Sequence, residues 1–149
     1  MSNEEMMREA IREAKRATEN NDIPVGALVY SAEGKIIGRG FNRREIDLDP
    51  VAHAEIVALR AAAEEIKNWR LDGCTMVVTL EPCAMCAGAI AQARISKVIF
   101  GAWDEKAGAV GSVWDVLRDP RAIHRVEVES GVLQKECAAL LSEFFRLDQ

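Results

Sequence analysis

No stretch of this sequence approaches the roughly 18 to 20 apolar residues that a helix needs to cross a bilayer, so no membrane span is expected. The opening residues, MSNEEMMREAIREAKRATE, are charged throughout and lack the apolar segment of a secretory signal. The expected compartment is therefore the cytoplasm. No internal repeat, low-complexity tract or linker rich in Pro, Gly or Ser breaks the chain. Residues 1–149 are accordingly expected to form one domain, as the length alone suggests. Positive charge is not in excess: 24 acidic residues against 19 basic ones leave a net charge of -5, so bulk charge advertises no nucleic-acid partner. Cysteines are few: Cys74, Cys83, Cys86 and Cys137. In a cytosolic chain of this size they point to metal binding, catalysis or plain burial, not to a disulfide framework.

What is present is apolar enough to build a core. Hydrophobic residues make up 49% of the chain, sufficient for one buried core at this length, and the 29% of charged residues suits a solvated surface. Ser2 and Glu5 fit a capping box, followed by Met6, Ala10, Ala14 and Ala17 at helical spacing. Asn20, Asn21 and Pro24 end that helix. Val25 to Tyr30 reads as a buried strand, Ser31 to Gly34 as a turn and Lys35 to Phe41 as the returning strand. A polar loop from Asn42 to Val51 leads into a helix over Ala52 to Ile66, with Ile56, Leu59, Ala63 and Ile66 on one face. Thr75 to Leu80 is a short apolar strand. Pro82 can open the next helix, where its missing N–H is not needed, and that helix runs through Met85, Ala89, Ile90 and Ala93. Lys97 to Ala102 is another buried strand. Residues 103–124 read as loop with a helical piece near Val113 to Leu117, then a strand at Arg125 to Val128. Leu133, Cys137, Leu140, Leu141 and Phe144 mark a last amphipathic helix. Strands alternating with helices give an α/β protein with a mixed sheet covered on both faces; the strand order is not readable from these patterns.

Two short segments carry chemistry: His53-Ala54-Glu55 and Glu81-Pro82-Cys83-Ala84-Met85-Cys86. Each opens a helix directly after a strand or loop, so both helix N-termini can meet at one end of the sheet, where open α/β sheets place their sites. Cys83 and Cys86 are three apart, so their sulfurs point the same way. The positive helix N-terminus favours thiolate, the form that binds zinc. With the imidazole of His53 the set has three ligands, and zinc prefers four, which leaves one position for water. Bound zinc lowers the pKa of that water toward neutrality, and Glu55, two residues from His53, is close enough to receive its proton.

Other readings stay open at this level. Cys83 and Cys86 alone would also suit a redox pair. A closed structural site would need Cys74 or His124 as fourth ligand. Otherwise Cys74 and Cys137 are expected as small buried residues, and His124 as a loop or surface residue. Trp69, Trp103 and Trp114 suit packing or base stacking, and Arg43 with Arg44 suits ordinary solvated charge.

His53-Ala54-Glu55 with Pro82 to Cys86 matches the H-x-E and P-C-x-x-C signature of the zinc deaminases, and the chain resembles that superfamily. The flanks narrow the resemblance: P-V-G-A-L-V at Pro24 to Val29, F-N-R at Phe41 to Arg43, F-G-A-W-D-E-K-A-G-A-V-G-S at Phe100 to Ser112, and the segment from His124 to Phe145. Along nearly the whole chain these are similar to the bacterial tRNA adenosine deaminase family. The resemblance implies a three-layer α/β/α cytidine-deaminase-like fold with a central five-stranded mixed sheet. It implies one zinc per subunit and a homodimer with each active site near the interface. The implied reaction turns the wobble adenosine of an arginine tRNA into inosine, by zinc-activated hydroxide with Glu55 as proton shuttle, on a base flipped out of the anticodon loop. By matching position Asn42 implies a hydrogen bond to the purine edge, and the Ala54 N–H a contact at the reacting carbon. Asp104, Lys106 and Phe145 imply contacts to flanking nucleotides. A tRNA asks for local positive charge, for which Arg43, Arg44, Lys106, Arg118, Arg121, Arg125 and Arg146 are candidates; the last five residues, Phe145 to Gln149, supply one arginine and one aspartate. Two alternatives are a deaminase of a free base such as guanine or cytosine, which would share every zinc residue, and a non-catalytic zinc or RNA-binding module, which would have no use for Glu55.

Overall fold

The computed structural model describes residues 1–147; the last two residues of the tail lie outside the described residues. Nine elements follow one another: α1 (Asn3–Thr18), β1 (Gly26–Tyr30), β2 (Ile36–Phe41), α2 (Ala54–Ile66), β3 (Thr75–Leu80), α3 (Ala84–Gln92), β4 (Lys97–Ala102), β5 (Glu127–Glu129) and α4 (Gln134–Leu147). The capping box forms at the start of α1: the Glu5 N–H donates to Ser2 Oγ at 3.1 Å, and the Glu5 carboxylate accepts from the Ser2 N–H.

The sheet order is β2-β1-β3-β4-β5. β1 pairs antiparallel with both β2 and β3, while β3, β4 and β5 run parallel. Side chains alternate across the strands, as the pleat requires. Ala27, Val29, Met76, Val78, Val98 and Phe100 face a core shared with Ala54, Ala58, Ala87 and Ile90 of α2 and α3. Leu28, Tyr30, Val77 and Ile99 face the other way, against Met7 and Ala10 of α1 and Cys137 of α4. The result is the three-layer arrangement with a five-stranded mixed sheet. Because β1, β3 and β4 are buried on both faces, they read as nearly unbroken apolar runs.

Three local expectations are corrected. Of the face of Ile56, Leu59, Ala63 and Ile66, α2 turns only Leu59 into the core. Its deeply buried stripe is Ala54, Ala58 and Ala62; Ile56 and Ala63 are half-buried and Ile66 is exposed. The cause lies on β2. A Cβ at Gly38 would meet the Ala58 carbonyl at 2.4 Å, and one at Gly40 would meet the Ala54 carbonyl at 2.3 Å. Helix and strand touch backbone to backbone, and only alanine fits between them. Second, α3 begins at Ala84, with Cys83 as its N-cap residue, so Pro82 stands before the helix. Third, Val113 to Leu117 is not helical. Its N–H groups are spent outside an i to i−4 ladder: Val113 donates to the Gly108 carbonyl at 2.9 Å and Val116 to the Ala109 carbonyl at 2.8 Å. In α1, Met7 takes the fully buried place beside Ala10, and Met6 packs at the edge of that cluster.

One end of the sheet collects the chemistry. β3 and β4 both end there, leading into α3 and into the loop at residues 103–112. Since β1 runs opposite to β3, its first residues lie at that end too, and β2 delivers Asn42 to the same place.

Candidate active site

His53 and Cys83 occupy equivalent positions, the N-caps of α2 and α3, both with extended backbone and neither with a side-chain cap bond. Their side chains are thereby free to turn toward each other. His53 Nδ1 lies 3.6 Å from Cys83 Sγ and 3.5 Å from Cys86 Sγ. Zinc bonds of about 2.0–2.1 Å to nitrogen and about 2.3 Å to sulfur, set at tetrahedral angles, demand a nitrogen–sulfur separation of about 3.6 Å. The donor set therefore fits zinc in spacing and in chemistry. Among the described residues, His53, Cys83 and Cys86 form the one such cluster, with all ligand atoms within 4.8 Å of one another.

Among the described residues a fourth protein ligand is not at hand. Cys74 immediately precedes β3, whose far end leads to Cys83, and a six-residue strand is about 20 Å long. His124 bonds the Ile95 carbonyl through Nε2 at 2.8 Å, and Ile95 precedes β4 at the same distant end. Cys74 and Cys137 are both buried. The closed structural site is thus ruled out for these two residues by their place in the fold.

In the metal-free protein the ligands hold one another. A hydrogen bond from Cys86 outweighs burial at Cys83 and, with the His53 ring, draws that thiol down to about 3. Cys86 is pushed upward by the same hydrogen bond and by burial. The bond to Cys83 also raises the His53 ring above its usual value, against burial. Beside them Glu55 is 4% exposed. Burial lifts its carboxyl to about 7, against the pull of its own N–H and of His53. A carboxyl poised near neutrality can take a proton and return it.

These groups open on a cavity of about 300 Å³. It is lined by His53, Ala54, Glu55 and Cys83, by the apolar Ile23, Val25 and Leu80, and by Asn42, Glu81, Asp104 and Ala107, with the exposed Arg44 at its rim. Asn42 is buried, and its Oδ1 accepts from the Arg44 N–H at 3.2 Å, which leaves its NH₂ for a ligand. Ala54 is the first residue of α2, so its N–H has no acceptor within the helix.

The cytidine and deoxycytidylate deaminase zinc-binding region matches residues 1–102. The chain belongs to that family. It is 47% identical over 140 residues to the tRNA-specific adenosine deaminase of Bacillus subtilis, covering 94% of this chain and 86% of that protein. It is 49% identical over 143 residues to the tRNA-specific adenosine deaminase of Haemophilus influenzae, covering 96% and 83%. A solved structure described for A-to-I editing by tRNA:A34 deaminases at the wobble position superimposes with a TM-score of 0.88 at 41% identity, over 92% of this chain and 99% of that one.

The deaminase brings most of the expected residues together, though not all. Asn42, Ala54 and Asp104 line the cavity with the zinc ligands and Glu55. Lys106 is exposed on the same loop, and its N–H donates to Asp104 Oδ1 at 3.1 Å. Phe145 lies apart: it is 51% exposed on α4, in the layer behind the sheet, with its ring against Phe144. Of the candidate cations, Arg43 is paired with Asp47, Arg118 with Asp115 and Arg121 with Asp119. Trp103 packs edge-on against Phe100. Arg44, which suited solvated charge or a tRNA-facing cation, lines the cavity. The role of one residue escaped the sequence reading. Glu81, taken as a mere flank of the cysteine motif, is 1% exposed. A carboxylate ending an apolar strand was the signal for it.

Proposed function

We propose that the protein hydrolyses the wobble adenosine of a tRNA, an arginine tRNA in particular, to inosine and ammonia. One observation carries the reading: a buried carboxyl near neutrality, Glu55, stands beside a three-ligand zinc site that opens on a cavity of small-ligand size. Zinc, when bound, acts as a Lewis acid that makes water nucleophilic at working pH. The chain's own residues do the rest. Ile23, Val25 and Leu80 pack the flipped purine and exclude solvent. The Asn42 NH₂ donates to an acceptor on the purine edge. The Ala54 N–H faces the substituents of carbon 6. The Glu55 carboxylate takes a proton from the attacking water and hands it to N1; it then takes the remaining proton of the added hydroxyl and passes it to the amine, which leaves as ammonia. Asp104 and Lys106 stand where nucleotides flanking the target would pass, and Phe145 is assigned a more distant contact beyond the cavity.

The test is direct. Zinc-loaded protein is incubated with unmodified arginine tRNA bearing a wobble adenosine, and the digested nucleosides are read by mass spectrometry. Free adenine, adenosine, guanine and cytosine run in parallel. Inosine at the wobble position alone is expected. Ammonia from a free base without inosine would keep the zinc chemistry and replace the substrate.

The same reading gives one deaminase domain over residues 1–149, a cytoplasmic location alongside tRNA, and a homodimer. Among the described residues no helix is long and apolar enough to cross a membrane. The dimer is supported by an apolar groove of about 370 Å³ between α2 and α3. Half-buried Ile56 and Ala63, the edge of the core residue Leu59, Ala89 of α3 and Ala93 just after it line the groove under Trp69, which is 61% exposed. Both helices carry zinc ligands at their N-termini, so a second copy there would lie close to each cavity. Trp69→Glu is expected to halve the mass seen by light scattering. A wild-type monomer, or an unshifted dimer in the variant, removes this assignment.

A further inference from the structure

Glu81 sits between the zinc ligands and the loop at residues 103–112 that walls the cavity. Its carboxylate is buried, and donors from that loop fill both oxygens. Oε1 accepts from the Asp104 N–H at 3.0 Å and from the Ser112 hydroxyl. Oε2 accepts from the Val110 N–H at 2.9 Å and the Ser112 N–H at 3.0 Å. No cation takes part among the described residues. A buried carboxylate satisfied wholly by N–H and O–H groups ties down whatever carries them.

The loop is shaped around that carboxylate. A Cβ at Gly108 would stand 2.3 Å from Glu81 Cδ and Oε1 and 2.5 Å from the Asp104 carbonyl, so glycine alone permits the approach. On either side the loop is stitched to the cysteine motif: the Ala109 N–H donates to the Pro82 carbonyl at 2.8 Å, and Gly108 bridges Cys83. Of the loop's two contributions to the cavity, Asp104 is itself tethered to Glu81, and Ala107 falls between that tether and those at Gly108 and Ala109.

We infer that Glu81 is a positioning residue: by holding the backbone of Asp104, Val110 and Ser112 it fixes the 103–112 loop as a preformed wall of the substrate cavity. The inference rests on the deaminase reading of that cavity. Losing the anchor lowers the fraction of molecules whose wall is in place. Apparent binding weakens by that fraction, and turnover at saturation is kept.

Glu81→Gln is the incisive change. Whichever way the amide settles, an NH₂ replaces one oxygen and faces at least one backbone N–H that can only donate. The expected results are unchanged zinc content, hydrogen exchange at the Asp104, Val110 and Ser112 amides faster by about ten- to a hundred-fold, and a KM for the anticodon stem-loop raised by a similar factor with kcat nearly constant. Should Glu81→Gln fail to fold, Ser112→Ala removes a single bond at an exposed residue and is expected to show the same pattern in smaller degree. Unchanged exchange at those amides in either soluble variant overturns the inference, as does a fall in kcat or zinc content with KM unmoved. Exchange needs no substrate. A wild-type protein that makes no inosine therefore sinks the tRNA reading, while the exchange result still judges Glu81.

Discussion

His53 Nδ1 stands 3.5 Å from Cys86 Sγ across 33 residues of chain. The separation equals, within a tenth of an ångström or so, the edge of a zinc tetrahedron. Cys86→Ala is expected to weaken zinc by more than about a hundred-fold, beyond the 10–100-fold loss typical of supporting residues. Elemental analysis after dialysis checks it, and full occupancy would mean the ligand set is wrong. Chelation of the wild type should lower its melting temperature, since zinc that binds only the folded state stabilises it by mass action.

Glu55 is buried next to the metal ligands without being one of them. Glu55→Gln is expected to keep one zinc per subunit and to lower kcat by roughly 10²–10⁴-fold or more. Unimpaired turnover in that variant would remove the proton shuttle.

The raised carboxyl also has a stability signature in the metal-free protein. Glu55 rests at about 7 when folded, against 4.5 as its ordinary value. Between those pH values the folded state holds a proton that the unfolded chain has released. Stability from this group is full below about pH 4.5 and is lost as pH rises through about 7, by about 3 kcal/mol at most. Denaturant midpoints of the metal-free wild type should fall from pH 5 to pH 8 more steeply than those of Glu55→Gln. Parallel curves would contradict the burial argument.

Arg44 is the cavity-rim cation, whereas Arg121 is exposed and bound to Asp119. Arg44→Ala is expected to weaken RNA binding several-fold and to reduce the salt slope by about one, with Arg121→Ala near wild type. Equal effects from the two substitutions would remove any special place for the rim.

Gly40 lets α2 lie on β2, and its added Cβ would meet the Ala58 N at 2.7 Å as well as the Ala54 carbonyl. Gly40→Ala is expected to cost about 1–3 kcal/mol by overpacking, and to weaken zinc as well, because the displaced backbone carries His53 and Glu55. Calorimetry and zinc titration check both.

By itself the sequence determined what depends on near neighbours along the chain. The capping box at Ser2 and Glu5, the spans Thr75 to Leu80 and Lys97 to Ala102, and the facing sulfurs of Cys83 and Cys86 all follow from spacing of six residues or fewer. The H-A-E and P-C-x-x-C segments named the donors because zinc chemistry admits few residue types. Tertiary structure alone decided what depends on distant segments meeting. The strand order set β1 between β2 and β3. The glycines of β2 chose the alanine stripe of α2 over its larger side chains, because backbone contact leaves no room for a branched residue. The anchorage of residues 103–112 on Glu81 overrode a local helical pattern at Val113 to Leu117, because several hydrogen bonds to a buried carboxylate outweigh one short turn of helix. The place of Phe145 behind the sheet, and of Arg44 at the rim, followed from the layering, which no spacing along the chain encodes.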